Sequence, residues 1–325
     1  LLPLNPLYAA GLAWKNRGFD RHPERARRLM QPVVSAGSLS AGGAGKTPFV
    51  ISLGRALRNA GVGIDVLSRG HGRQGDATLR VSPTGNAEEY GDEPLLIARQ
   101  LLCPVYVGRE RFAAGEMAER ERRHLREDKS FSVHLLDDGF QHRQLARAVD
   151  IVLLTAEEAR DALLPAGNLR EPLQALQRGG VVVVREDEAA ELEPVLRPVA
   201  APVWVIRRRF AFTEGVPSAR PLAFCGIARP EGFRAALTGH GVEPVELVAL
   251  RDHVAYDADV VSKLVKRARA VGADGFVTTA KDAVKLTPAL RAALGHVAVS
   301  DVIVEMDDAP RRVAELVGMI EASWG

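Results

Sequence analysis

Cysteine is nearly absent from this chain. Only Cys103 and Cys225 occur among its 325 residues, each beside apolar neighbours. That excludes a disulfide framework and zinc-ligand spacing, and both read as reduced, buried thiols of a cytosolic protein. An excess of one charge is lacking too. The 43 Lys and Arg against 41 Asp and Glu leave a net charge of +2, so nothing calls for a nucleic-acid partner. No run reaches the roughly 18 apolar residues that a membrane-spanning helix needs. Internal repeats, low-complexity tracts and a small-residue cleavage site are missing as well. Residue 1 is Leu rather than Met, which reads as a trimmed N-terminus. What is there is 46% hydrophobic with a mean hydropathy near zero. A soluble globular chain of this length is expected to divide into two domains.

Residues 35–48, SAGSLSAGGAGKTP, organise the rest. An apolar lead-in, Pro32-Val33-Val34, predicts a strand, then glycine-rich turns, then a helix opening near Lys46. Such a loop turns consecutive backbone N–H groups inward, with the positive helix end behind them, and so cradles phosphate. Gly42, Gly43, Ala44, Gly45, Lys46 and Thr47 are its candidate nucleotide-binding residues, with Lys46 on the β/γ-phosphates and Thr47 on Mg²⁺. The strict G-x-x-x-x-G-K-T pattern would have glycine where Ser40 stands. Its second half is an apolar strand ending in acid, and residues 131–138 supply one, ending in Asp137 and Asp138. One of these carboxylates would meet the metal across from Thr47.

Short β-branched segments alternate with helical ones: 63–68, 105–107, 150–154 and 180–184. The fold expected is α/β, a P-loop NTPase-type, mostly parallel sheet with helices on both faces, plus a smaller C-terminal α/β domain. Residues 1–30 form an apolar, then basic N-terminal segment; 31–210 the phosphate-binding domain; 211–325 the smaller domain. The segment 203–212 reads as an exposed ribbon, 213–221 as turns, and 109–129 as a charged, solvated helix face. The N-terminal segment suits either the interface of an anionic membrane or a helix packed on its own domain. Arg69, in a basic glycine-loosened loop after the 63–68 strand, suits a phosphate or sugar phosphate as well as a solvated turn. Asp92 and Glu93 suit helix capping, and Asn168, Arg170 and Glu171 either a plain turn or a clamp on phosphate.

Taken in order, SAGSLSAGGAGKTP, LSRGHGR, GDEPLL, DDGFQH, NLREP, FCGIARP, Asp252-His253 and TTAKDAVK make the chain resemble the tetraacyldisaccharide 4'-kinases. The resemblance implies transfer of the γ-phosphate of ATP, with Mg²⁺, to the 4'-hydroxyl of an acylated glucosamine disaccharide lipid in lipid A synthesis. It implies that Asp92 is the catalytic carboxylate and His253 its partner from the second domain. Lys46 and Arg170 would act on the transferring phosphate, Thr47, Asp137 and Asp138 on the metal, and Arg69, Glu93, His142, Asn168 and Glu171 near the acceptor. It further implies peripheral association with the cytoplasmic face of the bacterial inner membrane, and no obligate protein partner is evident. Two positions depart from the family pattern: Val254 replaces a histidine and Ala280 a glutamate. The alternative is a P-loop ATPase acting as a switch or delivery protein without a lipid acceptor. Guanine specificity is disfavoured because Lys281 and Asp282 are adjacent rather than spaced as Asn/Thr-Lys-x-Asp.

Overall fold

The computed structural model describes residues 5–40, 42–124, 131–252 and 254–324. Among the described residues twelve strands form one sheet: β1 Val33–Ser38, β2 Gly63–Ser68, β3 Leu79–Arg80, β4 Val105–Val107, β5 Ser132–Asp137, β6 Val149–Leu154, β7 Val181–Arg185, β8 Val203–Glu214, β9 Pro221–Cys225, β10 Glu246–Ala249, β11 Gly275–Thr279 and β12 Val297–Met306. Their order is β10-β9-β11-β12-β8-β7-β6-β1-β5-β2-β4-β3. The helices are α1 Asn5–Arg21, α2 Lys46–Asn59, α3 Ala87–Tyr90, α4 Asp92–Leu101, α5 Arg111–His124, α6 Ala156–Arg160, α7 Ala189–Leu196, α8 Pro230–Gly239, α9 Ala258–Val271, α10 Ala280–Ala283, α11 Pro288–Leu294 and α12 Ala309–Trp324.

Every strand pair is parallel except β3 with β4 and β8 with β12. The second exception shapes the molecule. The first residues of β8 pair with β7 and its remainder with β12, Ile206 facing Met306 and Phe212 facing Ser300. β8 thus runs on past the carboxyl end of β7, and β12 comes back along it. The strands parallel to β12 therefore point towards the first set, and the carboxyl ends of both sets face one crevice. Ligands of open α/β sheets bind at that edge.

One apolar core follows a whole face of the sheet, from Leu53 and Leu57 of α2 through Trp204 of β8 to Leu264 of α9 and Leu316 of α12. α2 buries Phe49, Val50, Leu53 and Leu57, the spacing of one helix face. Cutting such a leucine to alanine costs about 2–5 kcal/mol. On the opposite face α5 and α8 cover separate cores.

Four expectations change. The strand into the phosphate loop continues through Ser38, because residues 35–38 lie between β5 and β6 and all are buried. β8 reaches Glu214, since β12 pairs with residues that read as turns, and residue 210 falls inside it. An additional helix, α7, occupies Ala189–Leu196, where sequence reading placed no element. Within α5, Arg111 and Glu119 are buried rather than solvated. Glu119 closes a charged cluster beneath the sheet, where His134 Nδ1 lies 2.6 Å from Asp65 Oδ1 and its Nε2 3.4 Å from Glu119 Oε1.

Candidate active site

β1 and β5 are neighbours, and the register pairing Ala36 with Asp137 sets the acidic end of β5 beside the start of the glycine-rich loop. Gly37 permits that approach: a Cβ there would stand 2.6 Å from Phe140 Cβ. Gly45 precedes α2 at φ 82°, a left-handed conformation that glycine adopts without strain. Ser40, in the place of the expected glycine, is buried; its N–H donates to Glu158 Oε1 at 3.1 Å and its hydroxyl to Gly42 O at 3.1 Å. Glu158 closes the capping box of α6, so that helix pins the loop's entry. Thr47 is the second residue of α2.

Lys46 Nζ donates to Ser38 Oγ at 3.1 Å and stands 3.3 Å from Asp138 Oδ1. The other Asp138 oxygen accepts from Arg170 Nη1 at 3.0 Å. Burial alone would raise the Asp138 carboxyl, but Lys46 and Arg170 outweigh it and hold it below the ordinary carboxylate range. Its neighbour behaves oppositely. Burial, then Glu93 and Asp138, push Asp137 up to about 7 despite Lys46 and a 3.3 Å hydrogen bond from Ser68 Oγ. Positive charge is thus in deficit around Asp137, and a divalent cation would supply it. Among the described residues no three His, Cys, Asp or Glu side chains form a closed metal cage. Magnesium keeps water and substrate phosphate beside one or two carboxylates, and Asp137 and Asp138 are two adjacent ones.

On the other side of the crevice α4 begins with Asp92, 4% exposed, whose Oδ1 accepts from the Glu93 N–H at 2.9 Å. Two lysines from beyond β11 reach it. Lys281 Nζ lies 3.9 Å from Asp92, 3.4 Å from Glu93 and 3.5 Å from Asp252. Lys285 Nζ lies 3.8 Å from Asp92 and donates to Asp282 Oδ1 at 2.9 Å. Burial opposes the charge on Lys281, yet Glu93, Asp92 and Asp252 raise it overall. Sequence reading gave neither lysine a role, although both lie in the TTAKDAVK segment directly after a strand of the second set. His253 lies outside the described residues.

The remaining candidates have distinct surroundings. Arg69 lines a cavity of about 200 Å³ with His71, Arg73 and Arg109. His142 is pushed down to about 4 by burial and by the cations Arg111, Arg147, Lys15 and Arg69. Asn168 is held by Asp161, donating to its Oδ2 at 3.1 Å. Glu171 is buried and accepts from Arg178 at 2.8 and 3.0 Å and from Asn16 Nδ2 at 2.9 Å, so its carboxylate anchors the loop that carries Arg170. α1 docks on the same loop, Tyr8 OH donating to Arg170 O at 3.0 Å. Its outer side carries Leu7 and Trp14, 70% and 82% exposed. Among the described residues no helix is long and apolar enough to cross a membrane.

Comparison with known proteins gives one consistent result. The family model described as tetraacyldisaccharide-1-P 4'-kinase matches residues 1–320. A tetraacyldisaccharide 4'-kinase of Koribacter versatilis (strain Ellin345) is 41% identical over 331 residues, covering 99% of each chain. That of Syntrophus aciditrophicus (strain SB) is 36% identical, covering 88% of this chain and 84% of its own. The crystal structure of the "apo" form LpxK from Aquifex aeolicus in complex with ATP superimposes with a TM-score of 0.76 at 30% identity, covering 98% of both chains.

Proposed function

The chain belongs to the tetraacyldisaccharide 4'-kinase family, and from that premise we propose how its own residues move a γ-phosphoryl group from ATP to the 4'-hydroxyl of an acylated glucosamine disaccharide 1-phosphate. Phosphoryl transfer asks a protein chiefly for positioning and charge neutralisation. The loop of Gly42, Gly43, Ala44 and Gly45 presents N–H groups to the nucleotide phosphates. Lys46 and Arg170, held 3.3 and 3.0 Å from the two oxygens of Asp138, neutralise the group in flight. Thr47, Asp137 and Asp138 are the residues that would hold Mg²⁺, which supplies further neutralising charge on the phosphate oxygens when bound. Asp92 accepts the proton of the sugar hydroxyl, with His253 as the partner the family resemblance assigns to it. Arg69, Glu93 and His142 line the approach of the acceptor; Asn168 and Glu171 serve it indirectly by shaping the loop under Arg170.

The observation that carries this reading is the convergence of the phosphate loop, the acids of β5 and a buried carboxylate of α4 on one crevice closed by lysines of the second strand set. Of the smaller domain read over 211–325, the part before α12 covers the site, while α12 returns to pack beside α2 in the shared core. α1 places the enzyme at an anionic membrane surface, where its apolar Leu7 and Trp14 meet lipid and the loop it supports meets the headgroup. The test is incubation with γ-labelled ATP and an acylated glucosamine disaccharide monophosphate in detergent. A labelled bisphosphorylated lipid is expected; label released only as inorganic phosphate, at a rate indifferent to lipid, overturns the reading in favour of a P-loop ATPase.

A further inference from the structure

Two guanidinium groups that the phosphate loop itself does not supply lie against it. Arg208, on the stretch of β8 paired with β12, donates through Nη2 to Ala44 O at 2.6 Å. It fills the space beside Gly45, so closely that any Cβ there would collide with it. Arg229, in the turn between β9 and α8, brings Nη2 to within 3.2 Å of where a Cβ on Gly43 would be, and it pairs with Glu157 of α6. Gathering these cations is unfavourable as it stands. Burial first, and then the like charge of Arg185, with Arg229 contributing, weaken the hold of Arg208 on its proton. Its Nε is buried and makes no hydrogen bond among the described residues. A donor withdrawn from water and left unmatched costs free energy. A polyanion seated in the loop would satisfy it, since arginine binds phosphate oxygens through paired, charge-assisted hydrogen bonds.

We infer that Arg208 and Arg229 are ligands of the nucleotide's polyphosphate tail, so that the half of the chain beyond β7 builds part of the triphosphate seat as well as the cover over the acceptor. The inference rests on the kinase reading and adds to it a second source of phosphate recognition. The carbonyl of Ala44 and the carboxylate of Glu157 hold the two guanidiniums beside the loop; the tail takes the donors that these leave over. Because both arginines come from outside the phosphate-loop unit, filling the seat with triphosphate ties the two strand sets together.

Calorimetric titration of the full-length protein with ATP and with AMP, in the presence of magnesium, tests this. Arg208→Gln and Arg229→Gln are each expected to weaken ATP by about tenfold or more, the scale of a lost hydrogen bond to a charged group, and AMP by less than about twofold. Arg208→Lys keeps the charge and is expected to fall between, with an unchanged thermal midpoint showing that the fold is intact. Equal weakening of ATP and AMP would place the arginines on the base or in a purely structural role, and unchanged ATP affinity would remove them from the site; either overturns the inference. Failure of the unaltered protein to bind ATP would instead overturn the kinase reading, and this inference with it.

Discussion

A carboxylate that takes a proton from an alcohol has to be ionised, shielded from bulk water and yet within about 3 Å of the hydroxyl it serves. The surroundings of Asp92 exclude bulk water and put positive charge beside it. It is buried at the start of α4, where the helix N-terminus favours negative charge, and two ammonium groups stand within 3.9 Å. The partners seen for it among the described residues, Glu93, Lys281 and Lys285, all lie outside the phosphate loop. Asp92→Ala is therefore expected to lower kcat by about 10²–10⁴, the range for a lost general base, while calorimetry shows ATP affinity nearly unchanged. Collapse of nucleotide affinity would make Asp92 a structural or metal-holding residue. Asp138 has a different role, since its two oxygens join Lys46 to Arg170 and it belongs to the phosphate side of the crevice.

At the scale of elements, β2, β5 and α5 are stitched together by a buried cluster well away from the crevice. Burial opposes the charge on His134, but Asp65 and Glu119 outweigh it and raise the imidazole to about 9. Arg122 also reaches Asp65, at 3.3 Å, and the Gln31 N–H donates to Glu119 at 2.9 Å. A histidine raised above its ordinary value of about 6.5 contributes stability that is fully present below that value and is lost as pH rises through about 9. The thermal midpoint is therefore expected to fall between pH 7 and 10, and to fall less steeply in His134→Gln. Parallel curves would show that the cluster is not protonated in the fold. α1 offers a second test. Replacing Leu7 and Trp14 by serine is expected to reduce sedimentation with anionic vesicles while leaving the thermal midpoint in place, because both side chains face away from the protein. Unchanged sedimentation would leave α1 as a packing helix alone. Elements such as β2 were legible because a short β-branched run between glycines has few alternatives. The end of β8 was not, since residues 213 and 214, which read as turn, join the strand only by lying against β12, which is distant in sequence.

For the whole molecule the question is what holds the two strand sets over one crevice. The phosphate loop and the acids of β5 could be read from the sequence because each carries its chemistry in a local pattern. Lys281, Lys285, Arg208 and Arg229 could not, because their meaning lies in what they meet across the crevice, and that follows from the reversal of strand direction at β8 and β12. Four carboxylates, Asp92, Glu93, Asp252 and Asp282, gather there and would repel one another without the two lysines. Lys285 is the more deeply placed, 5% exposed, and breaking a buried pair by removing one partner costs about 3–5 kcal/mol. With the main core continuous across β8, that cost falls on the crevice rather than on the fold. The Lys281→Met/Lys285→Met protein is thus expected to remain folded and to bind ATP, but with its crevice widened by the mutual repulsion that the lysines no longer offset. Misplacement of reacting groups by about 1 Å costs roughly 10²-fold in turnover, and a loss of at least that size is expected. Small-angle scattering separates this from a local effect: the unaltered protein is expected to compact when ATP and the lipid acceptor are both bound, and the double variant to keep a larger radius of gyration. Identical scattering from the two proteins, with and without ligands, would show that the lysines do not govern closure.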